Sequence, residues 1–209
     1  MSTRLFMSEG LKTSYSSDLI EAGVDEAGRG CLAGPVFAAA VILPVDYSNP
    51  YLNDSKKLTE KQRFILREEI FQHAVSYSIQ KAEAKEVDEL NILNATYLAM
   101  HRAINELKNI PQLLLIDGNR FKKNSSIKHQ CIVKGDSLYQ SIAAASILAK
   151  TERDLYMKNL DLEHPQYDWV HNKGYGTKKH LEGIEKYGLT QHHRKSFHLK
   201  NQLKIDFTV

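Results

Sequence analysis

The chain has 209 residues, of which 42% are hydrophobic and 25% are charged, a balance typical of a folded domain with a sizeable core. This composition excludes disordered and collagen-like chains, and the longest nearly apolar run, 32–43, is too short to cross a bilayer. The formal net charge is only +3, yet residues 170–204 carry eight Lys or Arg against two Glu. This basic segment suggests a bound polyanion, although a solvated helical face explains the same lysines.

Apolar runs between turn residues predict alternating strands and helices. Predicted strands cover 19–24, 36–43, 75–79, 113–117 and 129–134; predicted helices follow Thr59 and cover 86–107, 138–160 and 177–186. Thr59 opens a capping-box pattern, and Gly188 stops the last helix. The small residues at 141–146 indicate a helix packed closely on a sheet. The order of elements predicts an α/β fold around a mixed sheet.

Four carboxylates stand where predicted strands end or a helix begins. Asp25 and Glu26 precede a glycine cluster that lets the chain bend, so that both side chains reach one site. Asp117 ends a buried strand, and Asp136 precedes the small-residue helix. Open α/β sheets bind ligands at such an edge, so we expect the four acids to converge there. Each acid alone also fits an ordinary role as a turn former, a loop residue or a helix cap.

Clustered carboxylates need a counter-charge, because their mutual repulsion raises their pKa values. Hard divalent cations supply that charge, and ligation by oxygen alone favours Mg²⁺ or Mn²⁺ over zinc. Two such ions about 3.5–4 Å apart would activate a water and stabilise the leaving oxygen of a phosphodiester. The acids therefore predict metal-dependent phosphodiester hydrolysis.

Long, unusual strings in this sequence resemble the type 2 ribonuclease H family, also called ribonuclease HII. The strings are GVDEAGRG (23–30), LAGPV (32–36), DSKKLT (54–59), LLIDG (114–118), KGDS (134–137), SIAAASILAKTERD (141–154), NKGYGT (172–177) and HRKSF (193–197). They follow the family's order over nearly all of 19–198. The resemblance implies a ribonuclease H-like mixed sheet flanked by helices, with a C-terminal helical segment.

The resemblance also implies an activity. Members of the family are endonucleases that use divalent metal ions to cut RNA strands paired with DNA, including single ribonucleotides within duplex DNA, and they leave 3′-hydroxyl and 5′-phosphate ends. We therefore expect a flexible start at 1–18, a catalytic core at 19–165, and a basic substrate-binding segment with a tail at 166–209. A cytoplasmic monomer is expected, since neither a signal segment nor a membrane span is visible and the two cysteines, Cys31 and Cys131, fit reduced thiols.

Family roles fall on matching positions. The metal-binding acids are Asp25, Glu26, Asp117 and Asp136, the same four that the chemistry indicates; the substrate-binding positions are Gly28, Arg29, Gly30, Tyr175, Lys56, Lys57, Arg194 and Ser196. The resemblance implies that the glycine-arginine-glycine element approaches a ribose 2′-hydroxyl, the group that separates RNA from DNA. It also implies that the ring of Tyr175 lies against the deoxyribose that follows the ribonucleotide. Arg194 and Ser196 are expected to contact phosphates, and His180, His192, His193 and His198 are interpreted as surface or phosphate-facing groups.

Competing interpretations explain less of the sequence. Type 3 ribonuclease H usually carries a long N-terminal extension and lacks the GRG triplet, and a type 1 enzyme would not carry DEAGRG. A catalytically dead binder of hybrids gains nothing from four acids beside phosphates. A phosphatase acting on small molecules would not need the basic segment.

The tail carries a weaker resemblance. Residues Gln202–Phe207 are similar to the Gln-Leu-x-Leu-x-Phe motif by which bacterial proteins bind the replication sliding clamp. Three apolar anchors on a short chain end suit a hydrophobic pocket on a partner. The same alternation also fits a closing strand packed on this protein's own core.

Overall fold

The computed structural model describes residues 10–197. Five strands form one mixed sheet in the order β3-β2-β1-β4-β5. The strands are β1 (Glu21–Ala27), β2 (Val36–Ile42), β3 (Ser76–Ala82), β4 (Leu113–Asp117) and β5 (Lys128–Ile132). β1, β2 and β3 pair antiparallel, whereas β4 and β5 continue the sheet parallel to β1. The predicted mixed α/β sheet is therefore confirmed.

Helices cover both faces of this sheet. They are α1 (Glu60–His73), α2 (Ala84–Asn105), α3 (Gln140–Glu163), α4 (Trp169–Asn172) and α5 (Lys178–Tyr187). α2 packs with one face of the sheet in a core that includes Ala38 and Ala40 of β2, and α1 and α3 pack with Ala39 and Val41 on the opposite face. Alternation along the strand assigns successive alanines to the two layers.

The small-residue part of α3 lies directly against β1. A Cβ placed on Gly23 would fall within 3.0 Å of backbone atoms of Ser141 and Ile142. The two backbones can approach this closely only because Gly23 has no side chain. The predicted close contact of helix and sheet is confirmed, and it fixes the height of α3 above the strand that carries Asp25.

The predicted helix at 86–107 is interrupted. Asn91 has φ 65° and ψ 163°, so α2 consists of two helical pieces joined at a kink. The Asn91 side-chain oxygen accepts hydrogen bonds from the backbone N–H groups of Leu93 and Asn94, at 3.0 and 3.2 Å. It therefore acts as the N-cap of the second piece, a use of Asn that overrides the helical spacing.

The C-terminal elements pack with Ala33 and the end of α3 in a small core. Its buried residues are Ala33, Met157, Leu160, Tyr167, Trp169 and Ile184. The Thr177 hydroxyl caps α5 and Gly188 ends it, as the sequence predicts. Residues beyond α5 return to the body of the protein, where His193 forms an antiparallel bridge with Ala33. Across the residues that the structure describes, no helix is both long and apolar enough to cross a membrane.

Candidate active site

The four acids occupy one edge of the sheet. β1, β4 and β5 are parallel, so their carboxyl ends meet at the same edge. Asp25 and Glu26 lie near the end of β1, Asp117 is the last residue of β4, and Asp136 lies in a 3₁₀ turn that follows β5. The topology therefore brings together acids that are up to 111 positions apart in the sequence.

Asp25 and Glu26 lie on opposite faces of β1. The predicted bend begins at Gly28, which has φ +92°, because the strand itself continues through Ala27. Asp25 pairs with Ala39 and so shares its face with α3, whereas Glu26 pairs with Ala38 on the face of α2. The paired antiparallel strand keeps β1 extended past the acids.

Asp117 connects the two faces electrostatically. Repulsion from Asp117 raises the pKa values of both Asp25 and Glu26, and Asp136 in turn raises the pKa of Asp117. The Asp117 carboxylate accepts a hydrogen bond of 2.7 Å from the backbone N–H of Gly135, which places the residue before Asp136 against β4. Asp117 is thus the acid that interacts electrostatically with all three others.

Burial is the largest cause of the raised pKa values of Asp25, Glu26 and Asp117, and like-charge repulsion adds to it. Asp25 is only 4% exposed and accepts a hydrogen bond of 2.7 Å from the Glu26 N–H. A hydrogen bond from Ser146 of α3 also lowers its pKa, though by less than burial raises it. The site therefore holds carboxylates that favour protonation until positive charge arrives.

Two cations partly supply that charge. The Arg29 guanidinium lies 3.1 Å from Glu26, and the Lys56 ammonium lies 3.4 Å from Asp136. Within residues 10–197, no three Asp, Glu, His or Cys side chains form a preassembled metal site. The donor set itself fits a hard divalent ion, because it consists of carboxylate oxygens with unbalanced negative charge.

The glycine-arginine-glycine element lies over a buried arginine. Gly28 has φ +92°, and the space that its Cβ would take is filled by the Arg153 side chain. Arg153 is 1% exposed and donates hydrogen bonds to the backbone carbonyls of Ala33, Pro35 and Lys173, at 3.1, 3.2 and 2.8 Å. Gly28 is therefore required both for its backbone conformation and for the contact with Arg153.

The Tyr175 ring faces this element. A Cβ on Gly30 would lie 3.9 Å from the ring, and the side chain is 46% exposed. Burial, followed by the neighbouring Cys31 thiol, raises the pKa of the Tyr175 hydroxyl. The structure thus places a half-exposed aromatic face beside Gly30, within the part of the surface that a substrate could reach.

The remaining sequence-predicted substrate residues have unequal exposure. Lys56 and Lys57 are both exposed, and Lys56 lies beside Asp136. Arg194 is only 2% exposed, and it donates hydrogen bonds of 2.9 Å to the carbonyls of Gly34 and Arg29. The Ser196 hydroxyl donates to Asp88 at 2.6 Å. Arg194 is thus enclosed by the protein's own backbone, whereas Ser196 is exposed and bonded to Asp88.

Two of the histidines are not surface groups. His180 and His193 are 0% and 2% exposed, and they pack around Tyr167 and Trp169. Their interpretation as surface or phosphate-facing groups is wrong, because the aromatic core encloses them. His198 lies outside the described residues.

Sequence reasoning missed a cavity beside the acids. It has a volume of about 340 Å³ and is lined by Glu26, Arg29, Leu93, Thr96, Tyr97, Met100, Asp117, Gly118, Asn119 and Arg120. Asn119 and Arg120 directly follow the quoted LLIDG string, and both are exposed. An exposed amide and guanidinium next to a strand-end carboxylate were the available signal.

Comparisons with known proteins agree with this geometry. The family model described as Ribonuclease HII matches residues 22–201. A Ribonuclease HII from Phocaeicola vulgatus is 59% identical over 195 residues, covering 92% of this chain and 97% of that protein, and one from Bacteroides fragilis is 60% identical over 184 residues, covering 88% and 92%. The structure titled as the PCNA:RNase HII complex from Archaeoglobus fulgidus aligns with a TM-score of 0.73 at 25% identity, covering 90% of this chain and all of that one. The ribonuclease H2 from Pyrococcus horikoshii aligns with a TM-score of 0.71 at 25% identity, covering 85% and 93%.

Proposed function

This chain belongs to the ribonuclease HII family and is an endoribonuclease acting on RNA/DNA hybrids, and from that premise we propose which of its residues perform the reaction. The family depends on divalent metal ions, and a two-metal mechanism that leaves 3′-hydroxyl and 5′-phosphate ends is typical of it. The observation that carries the proposal is the electrostatic coupling of four acids at one edge of the sheet.

We propose that Asp25, Glu26, Asp117 and Asp136 hold two divalent ions, Mg²⁺ or Mn²⁺. Bound ions would supply an activated water and stabilise the charge that develops on the leaving oxygen. The raised pKa values support this role, since a group that favours protonation in isolation gains most from a neighbouring cation.

Substrate recognition is proposed for the surface between the GRG element and Tyr175. Gly30 is exposed and has no side chain, so its backbone groups can approach a ribose 2′-hydroxyl, while Gly28 turns the chain over Arg153. The Tyr175 ring beside Gly30 would then contact the next sugar, so the pair reads a junction from RNA to DNA. Single ribonucleotides embedded in duplex DNA are therefore proposed substrates.

Lys56 and Lys57 are proposed to contact phosphates, because both are exposed and Lys56 lies 3.4 Å from Asp136. Arg194 and Ser196 are proposed to act on the substrate indirectly. Arg194 holds the carbonyl of Arg29 in the GRG element, and Ser196 ties the same chain segment to Asp88 of α2. The division into a core at 19–165 and a substrate-binding segment at 166–209 remains a proposal, in which the small core around Trp169 joins the two parts.

The test uses a DNA duplex that contains one ribonucleotide, incubated with the protein and Mg²⁺ or Mn²⁺. We expect a single cut on the 5′ side of a phosphate at the ribonucleotide, with 3′-hydroxyl and 5′-phosphate ends. Asp117→Asn should abolish cleavage, whereas Asp46→Asn, an exposed acid in the chain that follows β2, should not change it. Cleavage by Asp117→Asn at the normal rate would refute the site.

The clamp interaction of the tail is a second proposal. Residues 202–207 lie outside the described residues, and the support comes from the archaeal ribonuclease HII structure that is titled as a complex with PCNA. Truncation after Lys200 should abolish capture by the sliding clamp without changing the melting temperature or cleavage of short duplexes. A lower melting temperature together with no clamp capture by the full chain would favour a closing strand instead.

We further infer a monomeric enzyme of a reducing, cytoplasmic compartment. The support is that both cysteines are free thiols in this structure, Cys31 being buried. Light scattering of the full chain tests the monomer, and a mass of two chains at micromolar concentration would contradict it.

A further inference from the structure

A buried chain of polar groups runs behind Tyr175. The His180 ring lies between three partners: its Nδ1 atom is 2.9 Å from the Tyr175 carbonyl, and its Nε2 atom is 2.9 Å from Trp169 Nε1 and 3.1 Å from His193 Nε2. His193 Nδ1 in turn lies 2.9 Å from the backbone N–H of Thr190. The proposed reaction uses none of these histidines directly, so their burial requires another explanation.

The partners of His180 fix its tautomer. An indole N–H can only donate, so His180 Nε2 must accept from Trp169 and carries no proton. The ring is neutral, and its single proton is therefore on Nδ1. That N–H donates to the carbonyl of Tyr175.

The partners of His193 fix its tautomer as well. The backbone N–H of Thr190 can only donate, so His193 Nδ1 is the acceptor and Nε2 carries the proton. This Nε2–H points at His180 Nε2, which is already an acceptor. The Trp169 and His193 N–H groups therefore share the single lone pair of His180 Nε2, and the direction of donation ends at Tyr175.

The Tyr175 backbone needs such an anchor. It lies between Gly174, which has φ +81°, and Gly176, and two flanking glycines leave a segment with unusual conformational freedom. The Tyr175 carbonyl accepts from the Thr177 N–H at 2.8 Å as well as from His180. The Thr177 bond is local to the loop, whereas the His180 bond ties the loop to α5 and the aromatic core.

We propose that His180 is a positioning residue that sets the Tyr175 ring over Gly30 and so determines the discrimination between RNA–DNA junctions and continuous hybrids. The proposal rests on the proposed role of Tyr175. The hydrogen bond from His193 Nε2 stabilises the His180 tautomer that donates from Nδ1. The bond from His180 Nδ1 to Tyr175 makes the difference, rather than the bulk of the imidazole.

Two amide substitutions distinguish an effect of the hydrogen bond to Tyr175 from an effect of the bulk of the imidazole. Asn places its N–H₂ group near the position of Nδ1, and Gln places it near the position of Nε2. His180→Asn therefore keeps a donor toward Tyr175, whereas His180→Gln loses it, and both remove the ring. His171, which is exposed on α4, provides the matched control pair His171→Asn and His171→Gln.

The readout is the ratio of kcat/KM on a duplex with one ribonucleotide to kcat/KM on a long RNA/DNA hybrid. We expect His180→Gln to lower this ratio roughly tenfold, the loss of one buried hydrogen bond, while His180→Asn and both His171 variants stay within about threefold of wild type. In a Tyr175→Ala background, His180→Gln should cause no further loss, because the two residues act as one unit.

The outcomes distinguish failure of the proposed role of Tyr175 from failure of the positioning role of His180. If Tyr175→Ala leaves the ratio unchanged, the proposed role of Tyr175 fails, and with it the role of His180. If Tyr175→Ala lowers the ratio but His180→Gln does not, only the positioning role is overturned. A further loss from His180→Gln in the Tyr175→Ala background would also overturn it.

Nitrogen-15 NMR of the histidines in the wild-type protein gives a test that does not depend on the folding of any variant. The neutral Nδ1–H tautomer of His180 together with the Nε2–H tautomer of His193 supports the chain. An Nε2–H tautomer of His180 would overturn it.

Discussion

Gly23→Ala tests whether the close contact of α3 with β1 positions the catalytic edge. The added methyl would fall within 3.0 Å of backbone atoms of Ser141 and Ile142. These atoms cannot rotate away as a side chain would, so α3 must move outward by a distance on the order of 1 Å to reach ordinary contact. Forced overpacking of this kind costs about 1–3 kcal/mol, and the stiffness of a 24-residue helix argues for the upper end.

For a chain of this length, 3 kcal/mol corresponds to a fall in melting temperature of about 6–12 °C. The cleavage rate should also fall, by more than the loss of stability alone explains, because α3 carries Ser146 near Asp25 and begins just after Asp136. A displacement of about 1 Å at the reacting groups costs on the order of 100-fold in rate. We therefore expect a folded protein with a strongly reduced kcat.

Calorimetry and single-turnover cleavage at saturating Mg²⁺ measure the two effects. Gly10→Ala is the control, since Gly10 is exposed and its Cβ would meet nothing within 4 Å. The reasoning is refuted if Gly23→Ala melts within about 1 °C of the control and cleaves at the wild-type rate.

Three further results are expected. Asp25→Asn should reduce cleavage at least about 100-fold while raising the melting temperature in EDTA, because it removes a carboxylate that burial and repulsion disfavour; normal turnover would contradict this. Urea midpoints should fall as the pH drops below about 6.5, because burial and the rings of His180, His192 and His164 lower the pKa of His193 to about 3. Between these two pH values only the unfolded chain takes up a proton at His193, so this contribution to stability is fully present above about 6.5 and is lost below it. His193→Gln should flatten the dependence of the urea midpoint on pH. Lys56→Ala should weaken hybrid binding and reduce the slope of log K against log salt by about one, and an unchanged slope would remove Lys56 from the phosphate contacts.

The sequence was informative where one residue type has one dominant physical use. The apolar run that ends in Asp117 predicts β4 with its bounds, and the Thr59 capping box forms as expected. The position of the acids at one edge also followed, because parallel strands bring their ends together. The extension of β1 to Ala27 did not, since it depends on the pairing of Ala27 with Phe37 of β2.

The residues that were misinterpreted are polar side chains with buried partners. Histidine spacing in the sequence gave no sign of the Trp169–His180–His193 chain, which depends on tertiary packing. Arg194 was expected at a phosphate because its HRKSF string resembles the family, yet its guanidinium is buried and donates to the backbone carbonyls of Gly34 and Arg29. Asn91 could have been recognised, because Asn is a common N-cap, but the helical spacing on both sides concealed the break.

The two buried arginines have a consequence for how the enzyme attracts nucleic acid. Arg153 and Arg194 lie beneath the GRG loop, bonded to carbonyls, and within residues 10–197 neither forms an ion pair with a carboxylate. Burial lowers the pKa of Arg194 only to about 10, so it stays charged at neutral pH. Dissolved ions screen a charge inside the protein far less than one on an exposed lysine. Part of the electrostatic attraction for a polyanion should therefore persist at high ionic strength and after substitution of every surface lysine, because these two charges lie inside the fold.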